Sequence, residues 1–181
     1  WRRITGNEIQ GKTIGIIGLG AVGKELAKKS SALGMRVLGF DLFKDEDFLS
    51  KYPEVSFVES LNIIYENADI ISLHLPHNKE TEHLINKEVI FKKLKRKPIL
   101  INTARGMLVD VKALIKGLKT KHLAGYLTDV LAHEPMLKDE VLLGLDNVII
   151  TPHIGSRTYE SVQRQGVMAV NNLLNLLKSE N

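Results

Sequence analysis

Apolar residues fall along this chain in short blocks, and polar residues gather where the blocks end. The runs Thr13–Ile17, Arg36–Phe40, Ile70–Leu73, Ile99–Ile101, Leu123–Thr128 and Val148–Ile150 are nearly continuous in Ile, Leu and Val. Strands buried on both faces of a parallel sheet read this way, without alternation. A weaker run lies at Val55–Val58. Between the blocks, helical spacing predicts helices at Ala21–Leu33, Glu59–Asn67, Lys87–Leu94 and Val111–Leu118. A last helix is predicted over Thr158–Leu177, with Val162, Val167, Val170, Leu173, Leu174 and Leu177 as its apolar positions. Strand and helix alternate throughout, with no repeat, low-complexity tract or long linker. This order predicts a doubly wound α/β fold around a parallel sheet.

The polar residues follow the strands. Gly18 follows the first strand and Asp41 the second. His74 and Pro76 follow Ile70–Leu73, and Asn102, Thr103 and Arg105 follow Ile99–Ile101. Asp129 follows Leu123–Thr128, and Thr151, Pro152 and His153 follow Val148–Ile150. Open parallel sheets bind ligands beyond the carboxyl ends of their strands, so this edge is where a site is expected.

Gly18, Gly20 and Gly23 form G-x-G-x-x-G between the first strand and the first helix. In a dinucleotide-binding unit the first glycine permits a tight turn, the second lets the backbone approach a pyrophosphate, and the third lets helix and strand pack closely. Ala21, Val22 and Gly23 open the helix, whose free N–H groups and positive dipole end face the phosphates. Asp41 closes the next strand and is placed to accept hydrogen bonds from both ribose hydroxyls. The pattern predicts a Rossmann dinucleotide-binding domain. A carboxylate at Asp41 repels a 2′-phosphate and favours NAD over NADP, while Lys44 nearby works against that preference. The segment Gly6 to Thr13 also matches the P-loop pattern, but a β run follows Lys12 where a P-loop needs a helix. It reads as a polar lead into the first strand.

The chain has 181 residues, 44% of them hydrophobic, which is enough for one domain with a substantial core. No signal peptide is evident, and no apolar run is long enough to span a membrane. The absence of cysteine excludes disulfides and thiolate chemistry and fits a cytoplasmic enzyme. The net charge is +4, with its densest run at Lys92, Lys93, Lys95, Arg96 and Lys97. No aromatic residues interleave with that run as nucleic-acid stacking would need, so it reads as a solvated helix end. No His, Asp and Glu cluster has metal-ligand spacing.

Hydride transfer to a 2-oxo acid needs a group that holds a carboxylate and a group that protonates a developing alkoxide. Arg105 suits the first task through its bidentate fork, and His153 the second because imidazole titrates near neutrality. Glu134 is a candidate to orient the histidine ring and favour its charged form. Taken singly, each could equally be an ordinary loop residue. Their shared position on the edge that carries the glycine turn makes the set a candidate site.

The motifs resemble those of the D-isomer-specific 2-hydroxyacid dehydrogenases, which include D-3-phosphoglycerate, D-lactate and D-glycerate dehydrogenases. They are Gly11 to Gly23, Ser72-Leu-His-Leu-Pro76, Leu100-Ile-Asn-Thr-Ala-Arg-Gly106 with Val109-Asp110, Asp129-Val130 with Glu134-Pro135, and Thr151-Pro-His-Ile-Gly155. The resemblance implies His153 as general acid/base, Glu134 as its partner and Arg105 as the group binding the substrate carboxylate and carbonyl oxygen. It implies Asp129 at the nicotinamide end and the Thr103-Ala104 backbone along the cleft. His74 forms part of the cleft wall, and Pro76 and Gly155 join the cofactor edge. His77, His83, His122 and His133 remain surface or structural residues. NAD is the implied cofactor, a small 2-hydroxy or 2-oxo acid the substrate, a homodimer the assembly, and no metal, nucleic acid or membrane is involved. In the family a substrate domain is built from segments on both sides of the nucleotide domain. Residues 1–181 are accordingly expected to be an NAD-binding domain alone. Residues 1–10 would be the crossover lead-in, Trp1 one crossing point and 158–177 the returning helix. The substrate domain is expected to be absent and the isolated chain inactive. Three other readings are a non-enzymatic NAD-sensing scaffold or corepressor of the same family, a formate dehydrogenase, which carries Gln where this chain has Glu134, and a methyltransferase.

Overall fold

The structure is a computed structural model that describes residues 5–179. The crossing point expected at Trp1 lies outside the described residues. Seven strands form one parallel sheet: β1 (Thr13–Ile17), β2 (Arg36–Phe40), β3 (Val55–Phe57), β4 (Ile70–Leu73), β5 (Ile99–Asn102), β6 (Gly125–Thr128) and β7 (Val148–Ile150). Their spatial order is β3-β2-β1-β4-β5-β6-β7. The chain winds outward one way from β1 to β3 and then returns to place β4 on the other side of β1. Ile14 pairs with Val37 on one side and with Ile70 on the other. This reversal is the topological switch point, where such sheets open a crevice at their carboxyl edge.

Side chains alternate across each strand, so β1 feeds two cores. Ile14 and Ile16 join Ala27, Val37, Phe48 and Val55 on one face. Ile17 joins Ile64, Leu73, Leu100 and Leu114 on the other. Helices cover both faces: α1 (Ala21–Ala32), α2 (Glu46–Lys51), α3 (Leu61–Asn67) and α4 (Val111–Lys119), with α5 (Tyr159–Ser179) at the end.

The elements depart from the sequence expectations in several places. Helix α2 was not expected; it begins where Asp45 accepts the Phe48 N–H at 2.9 Å. The helix expected over Lys87–Leu94 is a wide π turn at Val89–Lys93, closed by Leu94 N–H to Val89 O at 3.0 Å. Strand β6 starts at Gly125 because the Leu123 and Ala124 N–H groups are taken by Gly117 O and Pro98 O. The third strand ends at Phe57, one residue early. Finally β7 is not buried: it is an edge strand with Ile149 61% exposed, since no further strand lies beyond it among the described residues. Helix α5 forms where the apolar spacing placed it, yet buries none of its residues among those described.

Candidate functional site

The glycine turn at the switch point is built by close approach. Gly18 has φ +101, in the left-handed region, and a Cβ there would lie 2.6 Å from His74 O. A Cβ on Gly23 would lie 1.9 Å from Gly18 O, so α1 packs against the turn only with glycine at that position. Gly20 differs, because a Cβ there would meet nothing within 4 Å. It occupies the N-cap of α1, where no side chain caps the helix and Ala21 and Val22 are exposed. An open, uncapped helix start beside a bare backbone fits a pyrophosphate group. Asp41 lies half-buried beside this turn. Its Oδ2 accepts the Leu19 N–H at 2.7 Å and its Oδ1 the Phe43 N–H at 3.3 Å. Asp41 therefore holds the glycine turn in place as well as facing a cavity of about 570 Å³.

The turns after β4 and β5 come next along the edge. His74 donates its N–H to Ile17 O at 2.8 Å, and its Nε2 shares a hydrogen bond of 2.9 Å with the Ser72 hydroxyl. Burial pushes the His74 pKa down, which favours the neutral ring. Pro76 is exposed, and its carbonyl accepts the Thr81 hydroxyl at 2.7 Å. The turn after β5 is closed by Asn102, which is fully buried. Its Oδ1 accepts the Ala104 N–H at 3.1 Å, and its Nδ2 donates to Arg105 O at 3.0 Å and to Tyr126 Oη at 3.3 Å. Thr103 and Arg105 are left exposed, with Arg105 Nη1 donating to Ala104 O at 2.6 Å. The Asn102 brace is the site feature that the sequence reading passed over. Its only signal was an amide at the end of an apolar strand.

A Cβ on Gly106 would lie 2.1 Å from the Leu131 carbonyl carbon, so the Arg105 turn presses directly on the loop that carries Glu134. Glu134 Oε1 accepts the Leu131 N–H at 2.8 Å, and Oε2 shares a hydrogen bond of 2.6 Å with His153 Nδ1. The contact to His153 and the Leu131 N–H hold the Glu134 carboxyl below its ordinary range, against a smaller opposing effect of burial. An ionised Glu134 places the shared proton on Nδ1 and leaves Nε2 as the outward nitrogen. His153 itself has φ +53, a conformation rare outside glycine, and its N–H donates to Thr151 O at 3.0 Å. Backbone of this kind persists only where its surroundings enforce it.

Asp129 supplies that enforcement. It is 6% exposed. Its Oδ1 accepts the Thr151 hydroxyl at 2.5 Å and the Ile154 N–H at 3.0 Å, and its Oδ2 accepts the Gly155 N–H at 2.8 Å. Burial alone would raise its pKa, but these three donors and the nearby His153 together hold it below the ordinary value. The family resemblance implies Asp129 at the nicotinamide end. Both of its oxygens are engaged by the 151–155 loop. Asp129, Glu134 and His153 line a cavity of about 860 Å³ with Leu131, Met136 and Arg157. Among the described residues, no group of three or more His, Asp and Glu is placed to hold a metal ion. None of their helices is long and apolar enough to cross a membrane.

Comparison with known proteins places the chain in a family. The model of the D-isomer specific 2-hydroxyacid dehydrogenase NAD-binding domain matches residues 1–155. Glyoxylate reductase of Thermofilum pendens is 42% identical over 98% of this chain and 52% of its own length. The structure of D-lactate dehydrogenase with NAD+ from Lactobacillus jensenii superposes with a TM-score of 0.85 at 35% identity, over 97% of this chain and 55% of that one. An acyclic imino acid reductase in complex with NADPH and D-Arg gives 0.83 at 31% identity, over 96% and 53%. The chain thus spans about half the length of these relatives. It belongs to the D-isomer specific 2-hydroxyacid dehydrogenase family and comprises that family's NAD-binding domain.

Proposed function

We propose that this chain is the cofactor half of an NAD-dependent oxidoreductase that interconverts a D-2-hydroxy acid and a 2-oxo acid. The observation that carries the reading is the Glu134–His153 pair, 2.6 Å apart, on the strand edge that also bears the glycine turn and Arg105. Bound NAD(H) supplies the hydride chemistry. Arg105 binds the substrate carboxylate and carbonyl oxygen through its fork. His153 Nε2 gives a proton to the developing alkoxide in reduction and takes one from the hydroxyl in oxidation. Glu134 keeps Nδ1 protonated and the ring oriented, and Asp129 fixes the loop that presents the ring. Thr103, Ala104, His74, Pro76 and Gly155 border the cofactor, and Asp41 receives its ribose.

On this reading residues 1–181 are one NAD-binding domain, and 158–177 return towards a substrate domain. The wholly exposed face of α5 supports that assignment. The complete protein is read as a cytoplasmic homodimer, on the family resemblance. The test is NADH oxidation by the complete protein with glyoxylate, pyruvate, hydroxypyruvate and phosphohydroxypyruvate. Turnover of at least one is expected. NADH binding with no turnover of any 2-oxo acid would refute the enzymatic reading.

A further inference from the structure

Two lysines line the cavity at Asp41, and both are engaged. Lys24 is ion-paired with Asp45, and its Nζ lies 5.5 Å from the centre of the Phe48 ring. Lys44 Nζ lies 2.9 Å from Glu46 Oε1. Asp45 is fixed in turn by the Phe48 N–H at the start of α2. Asp47 lines the same cavity, which therefore presents four carboxylates, counting Asp41, against two ammonium groups.

Ion pairs as solvent-accessible as the half-buried Lys24–Asp45 and the exposed Lys44–Glu46 contribute little to stability, about 0–1 kcal/mol for the exposed one, so the fold alone does not explain two of them side by side. Their position does. A phosphomonoester carries about −1.5 to −2 charges near neutrality, and lysine is a strong point-charge partner for it. Two free lysines would offset the repulsion that Asp41 offers to a 2′-phosphate. Solved relatives of this fold hold NAD+ in one case and NADPH in another, so the fold itself does not choose.

We propose that Asp45 and Glu46 are specificity determinants of the nucleotide site. By holding Lys24 and Lys44 they deny a 2′-phosphate its cations and complete the preference for NAD(H) that Asp41 begins. The inference rests on reading this cavity as the ribose end of the NAD site.

The test titrates NADH and NADPH, by nicotinamide fluorescence, into the unsubstituted chain and three variants. The first is Asp45→Asn with Glu46→Gln, in which Asn keeps a capping oxygen for α2. The second adds Lys24→Ala and Lys44→Ala to the first. The third is Asp47→Asn, which removes a charge from the same rim without freeing a lysine. Thermal melts confirm that each is folded. The first variant is expected to narrow the NADPH-to-NADH Kd ratio by roughly tenfold, through release of both lysines. The second should restore most of the gap, and the third should shift it much less. An unchanged ratio in the first variant, or an equal shift in the third, overturns the proposal. Folded proteins that bind neither nucleotide would overturn the nucleotide-site reading itself, and this proposal with it.

Discussion

Asp41 does two things with one carboxylate, and the second changes what its loss should do. On the proposed reading it faces the ribose and discriminates by charge. Accepting the Leu19 N–H at 2.7 Å, it also holds the glycine turn. Asp41→Ser should therefore narrow the NADH-over-NADPH preference by roughly tenfold, about 1.4 kcal/mol, while also weakening NADH itself. Parallel titrations of parent and variant check this. An unchanged preference would mean that the carboxylate does not face the 2′ position. At this scale the sequence was informative wherever chemistry follows residue type. Arg105, Glu134 and His153 were readable as candidates because they lie in the loops that follow β5, β6 and β7 on one edge. The brace by Asn102 and the full engagement of Asp129 were not, since both depend on side-chain directions. Asp129 meets Gly155 across 26 positions, and no local pattern encodes that contact.

Among elements, the 151–155 loop is the one whose geometry the site depends on. It holds His153 at φ +53 and is tied down mainly by Asp129. Asn at position 129 keeps one acceptor oxygen where three donors now share two. Asp129→Asn is expected to cost roughly 2–3 kcal/mol of stability, given the strength of hydrogen bonds to charged groups. Amide exchange at Ile154 and Gly155 should accelerate with it. The pH dependence follows from the lowered folded pKa of Asp129. Its contribution is fully present above the unfolded carboxylate value of about 3.9 and is lost as pH falls through the folded value. Denaturant melts between neutrality and strong acid should show a smaller acid-side loss in the variant. Equal slopes would remove Asp129 as the clamp. Elements also mark where the sequence reading stopped. The buried strands were visible as apolar runs, and α1, α3 and α4 as helical spacing. Helix α2 was not, because six residues with Phe48 and Leu49 as their only apolar side chains carry no readable period. Its one signal was the Asp45 cap.

For the molecule as a whole, the nucleotide site and the chemistry separate. The glycine turn, the α1 start and Asp41 all lie next to β1, β2 and β4, so the proposed phosphate and ribose contacts fall within one compact part of this chain. Catalysis needs the substrate held and water excluded, and the exposed Arg105 turn and half-exposed Glu134–His153 pair do neither alone. The 181-residue chain should bind NADH in a fluorescence titration and oxidise it with no 2-oxo acid; turnover would place a complete substrate site within these residues. The apolar positions of α5 were legible as a stripe, but their exposure among the described residues was not. A stripe records only that something must pack there.

His153 is proposed to carry the proton in a dehydrogenase whose cofactor is held elsewhere on the same edge. The measurement that meets it most directly is made on the complete protein bearing His153→Gln, with kcat for its best 2-oxo acid and the NADH Kd taken together. A fall in kcat of roughly 10²–10⁴ is expected, with the NADH Kd staying within about twofold. A kcat within about twofold of the parent, or a loss expressed equally in NADH binding, would contradict it.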